Sequence, residues 1–384
     1  MSDNPASRPP PGRLSARFSL RRALVYAGTL AYCLALFLAF DFAWSSLTRG
    51  EETQRPARVA NPVYDHGLAA GFDGHDIWGE TRYRLVTNSL GFKDASTRAV
   101  PLKPASHRVL LIGDSFAEGI GMSYEDSFAG LLQRAGQQRN EKIEFLNAGV
   151  ASYSPVIYYK KIKYLLELGL QFDEVVVFSD TSDVTDEANF YFCIDEDPKY
   201  RAYCSPAEGS MQPATASPKP GNFLIDRFVV FNRLRITIKR AIQSVVGNRR
   251  ASLNTDRGRI GWTVPGADVT SVYRPLGVDG GIARSLQNMR ALSDLLAARN
   301  IPLTIVVYPW AQQVAQGDRN SRQVSLWREF CERRCKAFIN LYPVLFAASE
   351  ADRKWYERFY IVGDDHFSAE GNQLVFRELA RRLL

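Results

Sequence analysis

The chain has 384 residues, 46% hydrophobic and 23% charged. These are ordinary globular proportions that exclude wholesale disorder and leave room for one large domain with appendages, or two modest ones. The formal net charge is +7. Part of that excess is local, because Arg8, Arg13, Arg17, Arg21 and Arg22 face a single acid, Asp3, near the N terminus. No zinc-ligand spacing, RNA-binding signature or long basic run appears elsewhere, so no nucleic-acid partner is expected.

Residues 1–20, rich in Pro, Ser and Arg, read as an unstructured cytoplasmic tail. Ala23 to Phe40 is uncharged and dominated by Ala, Leu, Tyr and Phe. As a helix it spans about 27 Å, against about 30 Å of hydrocarbon, and Trp44 supplies an interfacial anchor. Residues 21–44 are therefore expected to cross a lipid bilayer once. Arginines before the span place the N terminus in the cytoplasm and the bulk of the chain outside, on the periplasmic side of an inner membrane. A cleaved signal peptide has a shorter apolar core and a clear small-x-small site, for which Ala43-Trp44-Ser45 is a weak match. Beyond Cys33 in the span, Cys193, Cys204, Cys331 and Cys335 remain. An even number suits two disulfides in an oxidising compartment, with three connectivities open.

Residues 45–107 form a polar linker and then a covering segment. Its short aromatic runs, such as Tyr83-Arg84-Leu85-Val86 and Asn88-Ser89-Leu90-Gly91-Phe92, read as strands or loops over the edge of the main domain. That domain is expected over residues 108–384. Val109-Leu110-Leu111-Ile112 has the unbroken apolar character of a strand buried on both faces. A helical pattern over 123–134, a strand over 143–146, a helix over 156–168 and a strand over 174–178 come next. The alternation predicts an α/β fold with a doubly wound parallel sheet. It is broken by an expected insertion over 185–280, within which Phe223 to Val246 has an amphipathic helical pattern. A helix over 282–299, a strand over 303–308 and helices over 323–338 and 369–384 complete the reading.

The first strand runs into Gly113-Asp114-Ser115-Phe116. Glycine permits a sharp turn, and the serine emerges beyond the strand's carboxyl end, where open parallel sheets bind ligands. A serine nucleophile needs a base, and the chain has four histidines. His107 precedes the first strand and so lies at the wrong end of the sheet, up to about 26 Å from Ser115. His66 and His75 fall in the covering segment and read as exposed loop residues. His366, in Gly363-Asp364-Asp365-His366 before the last helix, is the candidate base, with Asp364 or Asp365 as its carboxylate partner. No Gly-x-Ser-x-Gly elbow and no glycine-rich phosphate loop is present, which argues against an ordinary α/β-hydrolase or a nucleotide-binding domain.

The order of these pieces resembles the SGNH (GDSL-type) hydrolases: Gly-Asp-Ser after the first strand, Gly149 in Asn147-Ala148-Gly149-Val150 after the second, a polar cluster after the third, and Asp-x-His near the end. The resemblance extends from about Arg108 to Leu384, outside the insertion, and Asn88 to Phe92 is similar to segments of membrane-anchored bacterial members. It implies a three-layer α/β/α fold and a Ser115–His366–Asp364 triad. It also implies an oxyanion hole of the Ser115 and Gly149 backbone amides, with no metal or organic cofactor. Where the family shows Gly-x-Asn-Asp this chain has Asp180-Thr181-Ser182-Asp183, which puts Ser182 in the place of the side-chain oxyanion donor. The implied activity is hydrolysis of an ester-linked acyl group, such as acetyl on a cell-surface glycan. The alternatives are acyl transfer with the same triad and a catalytically silent glycan-binding module.

Overall fold

The structure, a computed structural model, describes residues 14–48, 57–79, 81–139, 141–194, 257–264 and 271–384. The chain divides into two compact units. The first contains helix α1 (Leu14–Thr48). Within it Arg21–Ala43, mean hydropathy 2.0, is long and apolar enough to cross a membrane.

The second unit opens with two antiparallel hairpins, β1 (Arg58–Asn61) with β2 (Asp65–Leu68) and β3 (Asp73–Trp78) with β4 (Thr81–Val86). They fall within residues 45–107, and Lys93 adds an antiparallel bridge to Asn147. The main sheet is built from β5 (His107–Gly113), β6 (Ile143–Asn147), β7 (Glu174–Ser179), β8 (Leu303–Val307) and β9 (Ala337–Asn340), in the order β6-β5-β7-β8-β9. All four pairings are parallel. The helices between and after them include α2 (Ser115–Glu118), α3 (Phe128–Gln138), α4 (Pro155–Glu167), α5 (Asp183–Asn189), α6 (Arg257–Ile260), α7 (Gly277–Ala297), α8 (Ala311–Gln316), α9 (Arg322–Arg334), α10 (Tyr342–Ala351), α11 (Trp355–Phe359) and α12 (Ala369–Leu383).

Strand periodicity of two explains the layering. Leu110, Ile112, Val175, Val177 and Ile305 turn to one face, against Val156 and Ile162 of α4, Met289 and Leu292 of α7 and Trp327 of α9. Val109, Leu111, Val176, Phe178 and Val306 turn to the other, against Phe128 and Leu132 of α3 and Val375 and Leu379 of α12. The result is the three-layer α/β/α arrangement expected from the sequence. Strand order reverses between β5 and β7, whose carboxyl ends lie side by side with Gly113 paired to Phe178. That switch point is where such sheets place a ligand site.

Three expectations need correction. The helix expected over 323–338 stops at Arg334, where Cys335 is extended, and Ala337–Asn340 forms the edge strand β9. A four-residue edge strand leaves too little periodicity to separate from the helix before it. The expected insertion begins too early, because α5 lies within the domain with Thr185, Glu187 and Ala188 buried. Glycines also hid the first turn of α7, which starts at Gly277 rather than near Ile282. Cys331 and Cys335 form a disulfide, and Cys193 is disulfide-bonded. Cys204 and the helix expected over Phe223 to Val246 lie outside the described residues.

Candidate active site

The turn after β5 requires glycine. A Cβ on Gly113 would meet the Phe178 carbonyl at 2.7 Å and the Ala117 Cβ at 2.8 Å. Asp114 then caps α2, accepting the Phe116 amide at 2.9 Å, and leaves Ser115 as its first residue. Ser115 is half-buried among buried neighbours.

Ser115 Oγ lies 2.7 Å from His366 Nε2. His366 Nδ1 meets Asp364 Oδ1 in a short hydrogen bond, and the His366 amide donates to the same oxygen at 3.0 Å. The other oxygen, Oδ2, accepts the indole Nε1–H of Trp78 at 2.7 Å. Because Nδ1 faces a carboxylate it carries the proton, which leaves Nε2 free to accept from Ser115. Burial pushes the Asp364 carboxyl up, but the hydrogen bonds and charge of His366, with Trp78, bring it down to about 2. Asp364 is therefore ionised throughout the neutral range.

The loop bearing these residues is held by its backbone. Gly363, in the left-handed region at φ 83°, donates to the Tyr356 hydroxyl at 2.9 Å, which in turn donates to the Asp364 carbonyl at 3.1 Å. Ile361 donates to the His366 carbonyl at 2.8 Å. The imidazole rests between the ring of Phe116 (4.7 Å between centroids) and the near-perpendicular indole of Trp78 (5.2 Å). Asp365, the other carboxylate left open by the sequence, is buried and accepts from Gln312 in a short hydrogen bond. The side chain that meets the imidazole is that of Asp364.

Gly149 lies directly against α2, where a Cβ would meet Ala117 Cβ at 2.7 Å and the Glu118 nitrogen at 2.9 Å. Its amide donates to Asn147 Oδ1 at 3.1 Å. The preceding carbonyl, that of Ala148, accepts from the buried Lys161 ammonium at 2.9 Å.

Ser182, the expected side-chain oxyanion donor, is hydrogen-bonded to Asp180. Both its hydroxyl and its amide donate to Asp180 Oδ1, each at 2.5 Å, and neither is hydrogen-bonded to Ser115 or His366. Asp180 Oδ2 accepts the Trp310 indole at 2.6 Å. Burial first, and then Asp180 beside it, push the Asp114 carboxyl well above the usual carboxylate range. Asp183 is pushed up as well, by burial and by Asp180, although it accepts from Ser179 at 2.7 Å and Tyr158 at 2.9 Å.

None of the remaining histidines is hydrogen-bonded to the Ser115 hydroxyl, whose partner is His366. His107 opens β5 at the far end, 3.7 Å from Asp173. His75 is exposed on β3. His66 is not the exposed loop residue expected: it is buried on β2, its Nδ1 2.7 Å from Asp65 and its Nε2 2.8 Å from the Ala151 carbonyl. Sequence reasoning missed Trp78, Phe116, Tyr356 and Gln312. Phe116 adjoins Gly-Asp-Ser and was legible as a neighbour, whereas Trp78 lies 286 residues from the carboxylate it touches. Among the described residues no cluster of His, Cys, Asp and Glu is arranged to hold a metal ion.

No family model matches the chain, and no curated protein matches it. It is similar to several solved structures. One is a lipolytic protein of the G-D-S-L family from Desulfitobacterium hafniense, 14% identical, covering 72% of this chain and 99% of that one at a TM-score of 0.38. Another is a lipase/acylhydrolase from Enterococcus faecalis, 13% identical, covering 72% and 95% at 0.38. A third is a catalytic mutant of an acetylxylan esterase from Geobacillus stearothermophilus, 10% identical, covering 73% and 95% at 0.39.

Proposed function

We propose that the protein is a membrane-anchored SGNH-type serine esterase that hydrolyses an ester-linked acyl group, with Ser115 as nucleophile, His366 as general base and Asp364 as its orienting carboxylate. The observation that carries this reading is the unbroken relay Ser115 Oγ to His366 Nε2 at 2.7 Å, and His366 Nδ1 to Asp364. Ser115 attacks the ester carbonyl as its proton passes to His366 Nε2, and Asp364 stabilises the imidazolium that forms. The tetrahedral oxyanion is held by the backbone amides of Ser115 and Gly149, the latter turning from Asn147 to the substrate. Collapse expels the alcohol, protonated by His366, and leaves an acyl-Ser115. Water activated by the same imidazole attacks this acyl-enzyme and releases the acid.

The arginine-flanked apolar helix Arg21–Ala43 supports an anchor. With positive charge on the cytoplasmic side, the catalytic unit faces the exterior. That location favours acetyl groups on a cell-surface glycan as the substrate class. The test is labelling of the full-length protein by a fluorophosphonate probe, with turnover of a short-chain aryl ester. The wild type labels and hydrolyses, and Ser115→Ala does neither while keeping its melting temperature. A wild type that neither labels nor hydrolyses leaves a silent binding module; one that labels but releases product only when a sugar hydroxyl is added is a transferase.

A further inference from the structure

We infer that Trp78 is a positioning residue for the triad carboxylate, held by a closed circuit of hydrogen bonds and short backbone segments running from the nucleophile's helix through the N-terminal hairpins and back to Ser115. The inference rests on the proposed reading of Ser115, His366 and Asp364.

The circuit can be followed link by link. Glu118 ends α2, the helix that Ser115 begins. Its carboxylate is fully buried and accepts both arms of the Arg58 guanidinium, at 2.7 and 3.0 Å. Arg58 stands on β1 and also donates to Asp76 Oδ2 on β3 at 3.0 Å. The Tyr83 hydroxyl, from β4 directly across the hairpin, donates to the same oxygen at 2.9 Å. Trp78 is two residues beyond Asp76, on the same face of β3 by strand alternation. Its indole donates to Asp364 Oδ2 at 2.7 Å. Asp364 meets His366, and His366 returns to Ser115 at 2.7 Å.

Each link suits a rigid support. A bidentate arginine–carboxylate pair fixes angle as well as distance. An indole N–H is a donor only, so it binds Asp364 in the ionised form that the imidazolium requires. With Oδ2 held by Trp78, Oδ1 is left to the two nitrogens of His366, and the carboxylate cannot rotate away when the imidazole charges. The indole, packed nearly perpendicular to the imidazole, also limits tilting of that ring. The covering hairpins are thus a working part of the site, although they lie outside the Arg108 to Leu384 region that bears the motifs.

The test uses full-length protein in detergent micelles with 15N-labelled histidine. Trp78→Phe keeps an aromatic ring and removes the donor. It should lower kcat about tenfold, as for a lost hydrogen bond to a charged group, with KM unchanged. It should also shift the low-field Nδ1–H resonance of His366, assigned by its loss in His366→Gln. On an Asp364→Asn background the same substitution should have no further effect on kcat, since Trp78 acts through that carboxylate. An unchanged resonance with an unchanged kcat overturns the inference, and so does full additivity with Asp364→Asn. If the wild type hydrolyses no ester but the resonance moves, the positioning role stands and the esterase reading falls. If Trp78→Phe does not fold, Asp76→Asn, which weakens the circuit two residues away, carries the same expectation of a moved resonance and a lowered kcat.

Discussion

Arg58 grips Glu118 with both guanidinium arms, at 2.7 and 3.0 Å, and thereby ties the first strand of the N-terminal hairpins to the helix that Ser115 opens. The carboxylate it holds has no solvent exposure and also accepts the Ala151 amide at 2.7 Å. The hairpins, helix α2 and the loop after Gly149 therefore meet at one buried ion pair.

Removing one partner of such a pair leaves an uncompensated charge, so Arg58→Met should cost about 3 kcal/mol or more, read as a lowered denaturant midpoint. Burial pushes Glu118 up, but Arg58 outweighs it and the net shift is downward from 4.5. Its contribution is therefore present above about pH 4.5 and lost as pH falls through the lower folded value. Arg58→Met should flatten that part of the acid stability profile; an unaltered profile would show that the pair contributes little.

Gly149→Ala places a Cβ 2.7 Å from Ala117 Cβ and 2.9 Å from the Glu118 nitrogen. The second contact is with backbone, so α2 or the loop must move. The expected result is a fall in kcat of roughly a hundredfold, the scale of losing one oxyanion donor, with the fold kept by circular dichroism.

Asp364→Asn should reduce kcat by about 10⁴-fold, because an amide oriented toward Nδ1 selects the wrong imidazole tautomer. His366 and Trp78 hold the Asp364 carboxyl down at about 2 against the upward push of burial, so the acid limb of kcat/KM should lie well above that value and report another group. A limb with its midpoint near 2 would point to direct titration of Asp364.

Ser182→Ala removes one donor to buried Asp180 and should cost about 1 kcal/mol of stability. Since the hydroxyl is engaged by Asp180, kcat should change little. A hundredfold loss of kcat without loss of stability would restore Ser182 as an oxyanion donor.

Lys161 is buried beneath the rings of Tyr64, Phe92 and Tyr153, and burial lowers its ammonium to about 7 from 10.5. Between those values the unfolded chain binds more protons than the folded one, so stability rises with pH across the window. Lys161→Met should abolish that rise, which urea midpoints measured at several pH values would reveal.

Local patterns in the sequence determined a good deal. Buried parallel strands must be apolar on both faces, so Val109 to Ile112, Glu174 to Phe178 and Leu303 to Tyr308 were legible as strands, and the turn at Gly113 as the mouth of the sheet. Gly-Asp-Ser and Asp-x-His carry spacing of their own, and elimination among four histidines needed no coordinates. Tertiary structure alone decided between Asp364 and Asp365, because adjacent side chains point apart and only packing against Gln312 and Trp78 says which way. It also decided that Ser182 turns to Asp180, that His66 is buried, and that a tryptophan from a hairpin reaches the candidate triad. These contacts join residues far apart in the chain through side-chain geometry, which leaves no periodicity to read. Strands and turns write their requirements into neighbouring positions, whereas a hydrogen bond across 286 residues writes nothing between its ends.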